Sequence, residues 1–205
     1  MAQVKREEAA PMNSAVGSPT RKPASPAPSA PQAPLTRSEQ TMQKAMRAAA
    51  AGNYRKALDV LNAHSEASEE LRNARGVCLM RLGHYEEALS LYRMLVLMPG
   101  SIWMRPETPL HFKTNFATAL LLAGLHNGAL EVLHAINQED DPTVQKLRAA
   151  LREWEKQLPL LRKLDWWVSR VAPFNRPVTL DFEPGTFAAP ADAFDASPPG
   201  AAPAP

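Results

Sequence analysis

"RLGHYEEALSLY", Arg81 to Tyr92, sets a glycine two residues before an aromatic, follows it with an Ala-Leu pair and closes on a second aromatic. Two further stretches share this frame, "AAGNYRKALDVL" around Gly52 and "LAGLHNGALEVL" around Gly124. Two residues after each glycine stands Tyr54, Tyr85 or His126; five after stands Ala57, Ala88 or Ala129, always followed by leucine; nine after stands Leu61, Tyr92 or Leu133. Seven before it stands a small residue, Ala45, Gly76 or Ala117.

The frame describes a helix, a turn closed by glycine, and a second helix returning along the first. Glycine suits the turn because it takes a left-handed conformation without a side-chain clash. The small residues on the two helices are expected to face one another where the backbones come closest, and the aromatic to plug the turn. The three glycines are 31 and 41 residues apart, so the second interval carries an insertion, "MPGSIWMRPE".

This pattern resembles the tetratricopeptide repeat, whose signature runs Trp, Leu-Gly, Tyr, Ala, aromatic and Pro over about 34 residues. Gly76, Leu79, Ala88 and Tyr92 fit it, with Pro99 one residue early, while Arg72 and Arg75 stand where the pattern has Trp and Leu. The resemblance implies an all-α fold, a tetratricopeptide-type solenoid of three antiparallel helix pairs. A capping helix from about Pro142 to Leu158 would cover the last pair. Start signals agree with it: Thr36 with Glu39 forms a capping box, Ser68 and Thr108-Pro109 open the next two pairs, and Asp141-Pro142 opens the cap.

Proline marks the boundaries of the domain. Fifteen of the 20 prolines fall in the first 35 and last 33 residues, and within these 1–35 and 188–205 mix Pro with Ala and Ser without apolar periodicity. Residues 1–35 and 188–205 are therefore expected to be disordered tails. The repeat domain is expected over 36–158, followed over 159–187 by a short amphipathic helix and an extended segment. In "LPLLRKLDWWVSRVAPF" Leu161, Leu164, Val168 and Val171 recur at helical spacing, joined by Leu160 and Trp167. That face is expected to pack on the capping helix, with Trp166 left partly outside. "PVTLDFEPG" then alternates Val178, Leu180 and Phe182 with Thr179, Asp181 and Glu183 before a Pro-Gly turn, which is the period of an extended strand. Such a strand needs a partner, either the repeats or another protein.

In the family it resembles, the first helices of successive pairs line a concave groove. The corresponding residues are Met42, Met46, Asn73, Val77, Met80, Arg81, Thr114, Asn115, Thr118, Leu121 and Leu122. Asn73, Val77, Met80 and Arg81 fall at three- and four-residue spacing on one side of a helix, while Glu86, Glu87 and Ser90 are expected to face solvent. One subgroup of the family grips a peptide's terminal carboxylate; its sites correspond to Met42, Met46, Ala74, His111 and Asn115, of which only Asn115 is suitable, so that activity is not expected. Trp103 and Trp166 are candidate aromatic anchors for a partner. The competing reading of Trp103, packing back on the second and third hairpins, is the favoured one.

The remaining features argue against other classes. Between residues 36 and 172, Lys and Arg number 18 against 15 Asp and Glu, with no basic stripe of the kind that binds nucleic acid. The five histidines show no metal-ligand spacing, and neither a nucleophile elbow nor a phosphate loop occurs. The longest uncharged run, Thr114 to Leu130, has 17 residues interrupted by Asn and Gly, short of a membrane span. With one cysteine, Cys78, and no apolar run behind the basic start, a cytoplasmic location is expected. The chain is expected to be non-enzymatic, to need neither cofactor nor metal, and to bind a protein or peptide on its concave face. The second reading is a peripheral membrane adaptor using residues 160–171, whose Arg162, Lys163 and Arg170 face one Asp165.

Overall fold

A computed structural model describes residues 35–64, 68–169 and 178–187. The expected tails, apart from Leu35, and residues 170–171 of the amphipathic stretch lie outside these. The described part is all-helical: α1 (Arg37–Ala50), α2 (Tyr54–Asn62), α3 (Glu69–Arg81), α4 (Tyr85–Val96), α5 (Leu110–Leu122), α6 (His126–Ala135), α7 (Pro142–Lys156) and α8 (Leu160–Ser169). Helices α1 and α2, α3 and α4, and α5 and α6 pack as hairpins, and each hairpin packs on the next. In addition α1 touches α3, α3 touches α5, and α5 touches α7.

The three turns have the same construction. Gly52, Gly83 and Gly124 adopt φ of 74°, 82° and 78°. Each glycine N–H donates to the carbonyl three residues back, and the next N–H to the carbonyl five back: Asn53 to Ala48, His84 to Leu79, Leu125 to Leu120, at 2.8–2.9 Å. This double bond pattern satisfies carbonyls that a helix end leaves open. The small residues Ala45, Gly76, Ala117, Ala57, Ala88 and Ala129 are all buried. At Gly76 the close neighbour is the Tyr92 ring: an added Cβ would lie 2.6 Å from its Cε2 and Cζ.

Helix starts follow the sequence at three of four places. Thr36 and Glu39 form the reciprocal capping box, Ser68 Oγ accepts from Leu71 N, and Asp141 accepts from Thr143 N and Val144 N. Thr108 does not cap: α5 is flanked by Pro109 with no side-chain cap, and Thr108 is buried one residue too early in the chain to reach the helix.

Each junction between hairpins, and that of the last hairpin with α7, carries an arginine whose structural role the sequence frame did not show. Arg75 on α3 donates to the Leu61 and His64 carbonyls at the end of α2, Arg105 ahead of α5 donates to the Leu95 carbonyl of α4, and Arg148 on α7 donates to the Leu133 carbonyl of α6. A cation at a helix C-terminus also meets the negative end of the dipole.

The insertion after α4 folds into a tight reversal. Leu97 and Met104 form an isolated antiparallel bridge, Met98 N donates to Trp103 O at 2.9 Å and Arg105 N to Val96 O at 2.8 Å. This presents Trp103 outward, 71% exposed, beside Ile102; it does not pack back on the hairpins. At the other end, His126, which replaces the turn tyrosine of the first two hairpins, stacks on Trp154 of α7 at 4.2 Å, and Trp154 meets Trp166 of α8 edge-on at 5.3 Å. Trp166 is thus buried, against expectation, because the α7 indole supplies an apolar wall for it. The helix is turned so that Leu160, Leu161, Leu164, Trp167 and Val168, expected on α7, face outward.

Candidate functional site: a groove filled by its own chain

Residues 178–187 return to the repeats and run across α3 and α5. The alternation read from the sequence orients the segment: Val178 is buried and Leu180 and Phe182 are half-buried against the core, while Thr179, Asp181 and Glu183 are exposed. No ladder forms; side chains of the helices supply the backbone's partners.

Asn115 of α5 does most of this. Its Oδ1 accepts from Thr186 N at 2.8 Å and its Nδ2 donates to Thr186 O at 2.9 Å, so one amide reads both polar groups of a single residue, as a neighbouring strand would. Asn73 of α3 donates to the same carbonyl at 3.3 Å. The two amides are tied together, Asn115 Nδ2 donating to Asn73 Oδ1 at 2.8 Å. The Tyr92 hydroxyl lies 3.0 Å from that same Oδ1 and 3.1 Å from the Asn73 carbonyl. Burial pushes this hydroxyl well above its usual pKa range, with the Asn115 hydrogen bond acting the other way, so it remains a donor.

Arg81, at the end of α3, holds the preceding peptide units. Its Nε donates to Pro184 O and its Nη2 to Gly185 O, both at 3.1 Å, while Nη1 meets Glu183 Oε2 at 2.9 Å and the Tyr54 hydroxyl at 3.0 Å. The guanidinium carbon lies 5.1 Å from the ring centroids of both Tyr54 and Phe187, within cation–π range. Because Glu183 is 72% exposed, its ion pair adds little stability and the carbonyl bonds are the firmer part of the grip. Phe187 packs against both hydrophobic clusters, that of the first hairpin and that of the rest.

The expected groove residues divide accordingly. Asn73, Arg81 and Asn115 contact the segment through polar atoms, and Val77 and Met80 form the floor under Gly185. Asn73, expected to line the groove, is fully buried, because its amide bridges Tyr92 to the segment. Met42 and Leu121 are core residues, while Met46 and Leu122 are half-buried beside the core. Thr114 and Thr118 are buried with their hydroxyls donating back to His111 O and Thr114 O of their own helix, which uses the one donor each has. Tyr54 was read only as a turn plug and Phe187 was not singled out; both belong to the site. Glu86, Glu87 and Ser90 are exposed as expected.

Among the described residues no group of His, Cys, Asp or Glu could hold a metal ion, and no helix is long and apolar enough to cross a membrane. No protein-family model, no curated protein and no solved structure matches this chain.

Proposed function

We propose that this chain is a tetratricopeptide-type scaffold whose concave face, along α1, α3 and α5, binds an extended segment of another protein without covalent chemistry. One observation carries the reading: the face holds an extended peptide, its own residues 183–187, through side chains that read backbone amides and carbonyls. Recognition of main chain on a preformed surface is how peptide-binding modules gain affinity, with pockets for alternate side chains supplying specificity. The common frame of three glycine turns and the contacts from α1 to α3 to α5 support the solenoid arrangement.

The test is affinity capture from the source cells with the full chain. Asn115→Ala and Arg81→Ala should lose the captured protein while Glu86→Ala with Glu87→Ala keeps it. Capture that survives both groove substitutions and disappears with the glutamates places binding on the opposite face and refutes the reading.

A second reading attaches to α8, whose Leu160, Leu161, Leu164, Trp167 and Val168 are 62–83% exposed along one side. Such a face suits insertion at a lipid surface. Co-sedimentation of the full chain with anionic vesicles, abolished by Leu164→Asp, would favour it; no sedimentation of the native chain would eliminate it.

A further inference from the structure

The segment in the groove is read position by position, and the chemistry differs at each. Glu183 faces two groups that prefer an acid there, the Arg81 guanidinium at 2.9 Å and the Tyr54 hydroxyl at 3.3 Å. Pro184 supplies a carbonyl to Arg81, and no N–H is asked of it. Gly185 has φ +79°, and a Cβ added there would lie 2.6 Å from Met80 Cε and 3.1 and 3.2 Å from the two Val77 methyls. The positive φ strains any residue with a side chain, and the contacts with Val77 and Met80 add to that, so glycine is the residue that fits best. At Thr186 only the backbone is held, with the side chain exposed, so any residue with an N–H serves. Phe187 lies 5.1 Å from the guanidinium carbon of Arg81.

We propose that the α3/α5 groove, with Tyr54 at its rim, is a selective receptor for an extended segment of the pattern acidic–Pro–Gly–any–aromatic. Glu183–Phe187 is its built-in copy, and a partner protein carrying the same pattern displaces it. This rests on the peptide-binding reading above and adds the recognition code and the competitor. The partner's chemistry follows from complementarity: an acid for Arg81, a glycine over Val77 and Met80, an aromatic on the guanidinium, with alternating apolar residues upstream like Val178, Leu180 and Phe182. The groove needs an occupant, because without one Asn115 loses both partners on Thr186 and the buried amide of Asn73 loses one. Leaving such groups unpaired is costly. A tethered segment has an effective concentration on the order of millimolar, which sets the competition a partner must overcome.

The probe is a fluorescent peptide of residues 180–188, LDFEPGTFA, titrated into the full chain by anisotropy. Two full-length variants release the resident copy by different means: Gly185→Val places a side chain against Met80, and Thr186→Pro removes the N–H that Asn115 accepts. Both should bind the peptide at least about 10-fold more tightly than the native chain does, given that tethered competition. The same peptide made with Gly185→Val should not bind, and adding Asn115→Ala to either released chain should abolish binding.

No saturable binding to released chains that keep their helical circular dichroism overturns the proposal. So does equal binding to native and released chains, which would put the peptide elsewhere. Loss of the helical signal in both variants would show the segment to be a strut of the fold and would likewise overturn it. Concentration-dependent dimerisation of the native chain, blocked by Thr186→Pro, would make a second copy the occupant in place of a partner. If the peptide fails while cellular capture still depends on Asn115, the code is wrong and the peptide-binding function stands.

Discussion

Glycine in the middle of a helix ordinarily destabilises it, so Gly76→Ala should stabilise α3 by about 1 kcal/mol on propensity alone. The structure predicts the opposite sign. The new methyl would stand 2.6 Å from two carbons of the Tyr92 ring and 2.8 Å from its hydroxyl oxygen. That ring is fully buried and tethered through its hydroxyl to Asn73, so it has nowhere to retreat. Overpacking of this kind typically costs about 1–3 kcal/mol, and breaking the Tyr92 hydrogen bond adds about 1 kcal/mol. The net expectation is destabilisation by about 1–3 kcal/mol once the propensity gain is subtracted. In a Tyr92→Leu background the obstacle is gone, and the same substitution should become stabilising by up to about 1 kcal/mol. Urea denaturation of the four chains of this cycle, followed by circular dichroism, reads the sign change directly. If Gly76→Ala stabilises the native chain as much as it does the Tyr92→Leu chain, the ring is not opposite Gly76 and the hairpin packing described here is wrong.

Asn115→Ala should cost about 1–3 kcal/mol through the unpaired groups it leaves, and should raise hydrogen exchange at the Thr186 amide far more than at core helix amides; equal protection in both chains would show the clamp to be idle. Acid should weaken the packing of the last hairpin on α7. Burial lowers the His126 pKa below its usual 6.5, with the Gly124 backbone carbonyl opposing, so the unfolded chain takes up the proton first. Stability is therefore full above about pH 6.5 and falls as pH drops from there towards the lowered value. His126→Phe, which keeps the stack on Trp154, should flatten the melting temperature between pH 7.5 and 5; an unchanged slope would count against it. Cys78 is fully buried and its thiol is pushed up to about 11 by burial, against the pull of Arg81. A disulfide reagent at pH 8 should label it only on unfolding, and rapid labelling of the native chain would contradict that burial.

The hairpins were legible because their determinants are local. Gly52, Gly83 and Gly124, with the caps at Thr36, Ser68 and Asp141, act within five residues of themselves. The alternation of Val178, Leu180 and Phe182 also announced which side of the last segment would be covered. What covers it was not legible, since Asn115 and Asn73 meet Thr186 across 71 and 113 residues of chain, and an asparagine on a helix gives no sign of a distant backbone it will hold. Periodicity likewise marked the apolar stripe of α8 and not which side would be inserted. Trp166, outside the stripe, is the residue that the aromatic wall of Trp154 draws in. Trp103 turned outward because the bridge between Leu97 and Met104 consumes the insertion in a reversal too short to fold back.

The arginines at the hairpin junctions bear on how the chain comes apart. Arg75 and Arg148 belong to the helix that follows and Arg105 to the connection ahead of α5, and the Leu61, Leu95 and Leu133 carbonyls they hold lie in the last turn of the helix before. A hairpin that began to fray from its end would strand a partly buried cation on its neighbour, so loss of one penalises the next. In a linear array whose stability is a sum of unit and junction contributions, strengthening the junctions relative to the units suppresses partly melted states. The hairpins should accordingly melt together in one sharp transition, and a fragment cut between any two of them should be less stable than its share of the whole.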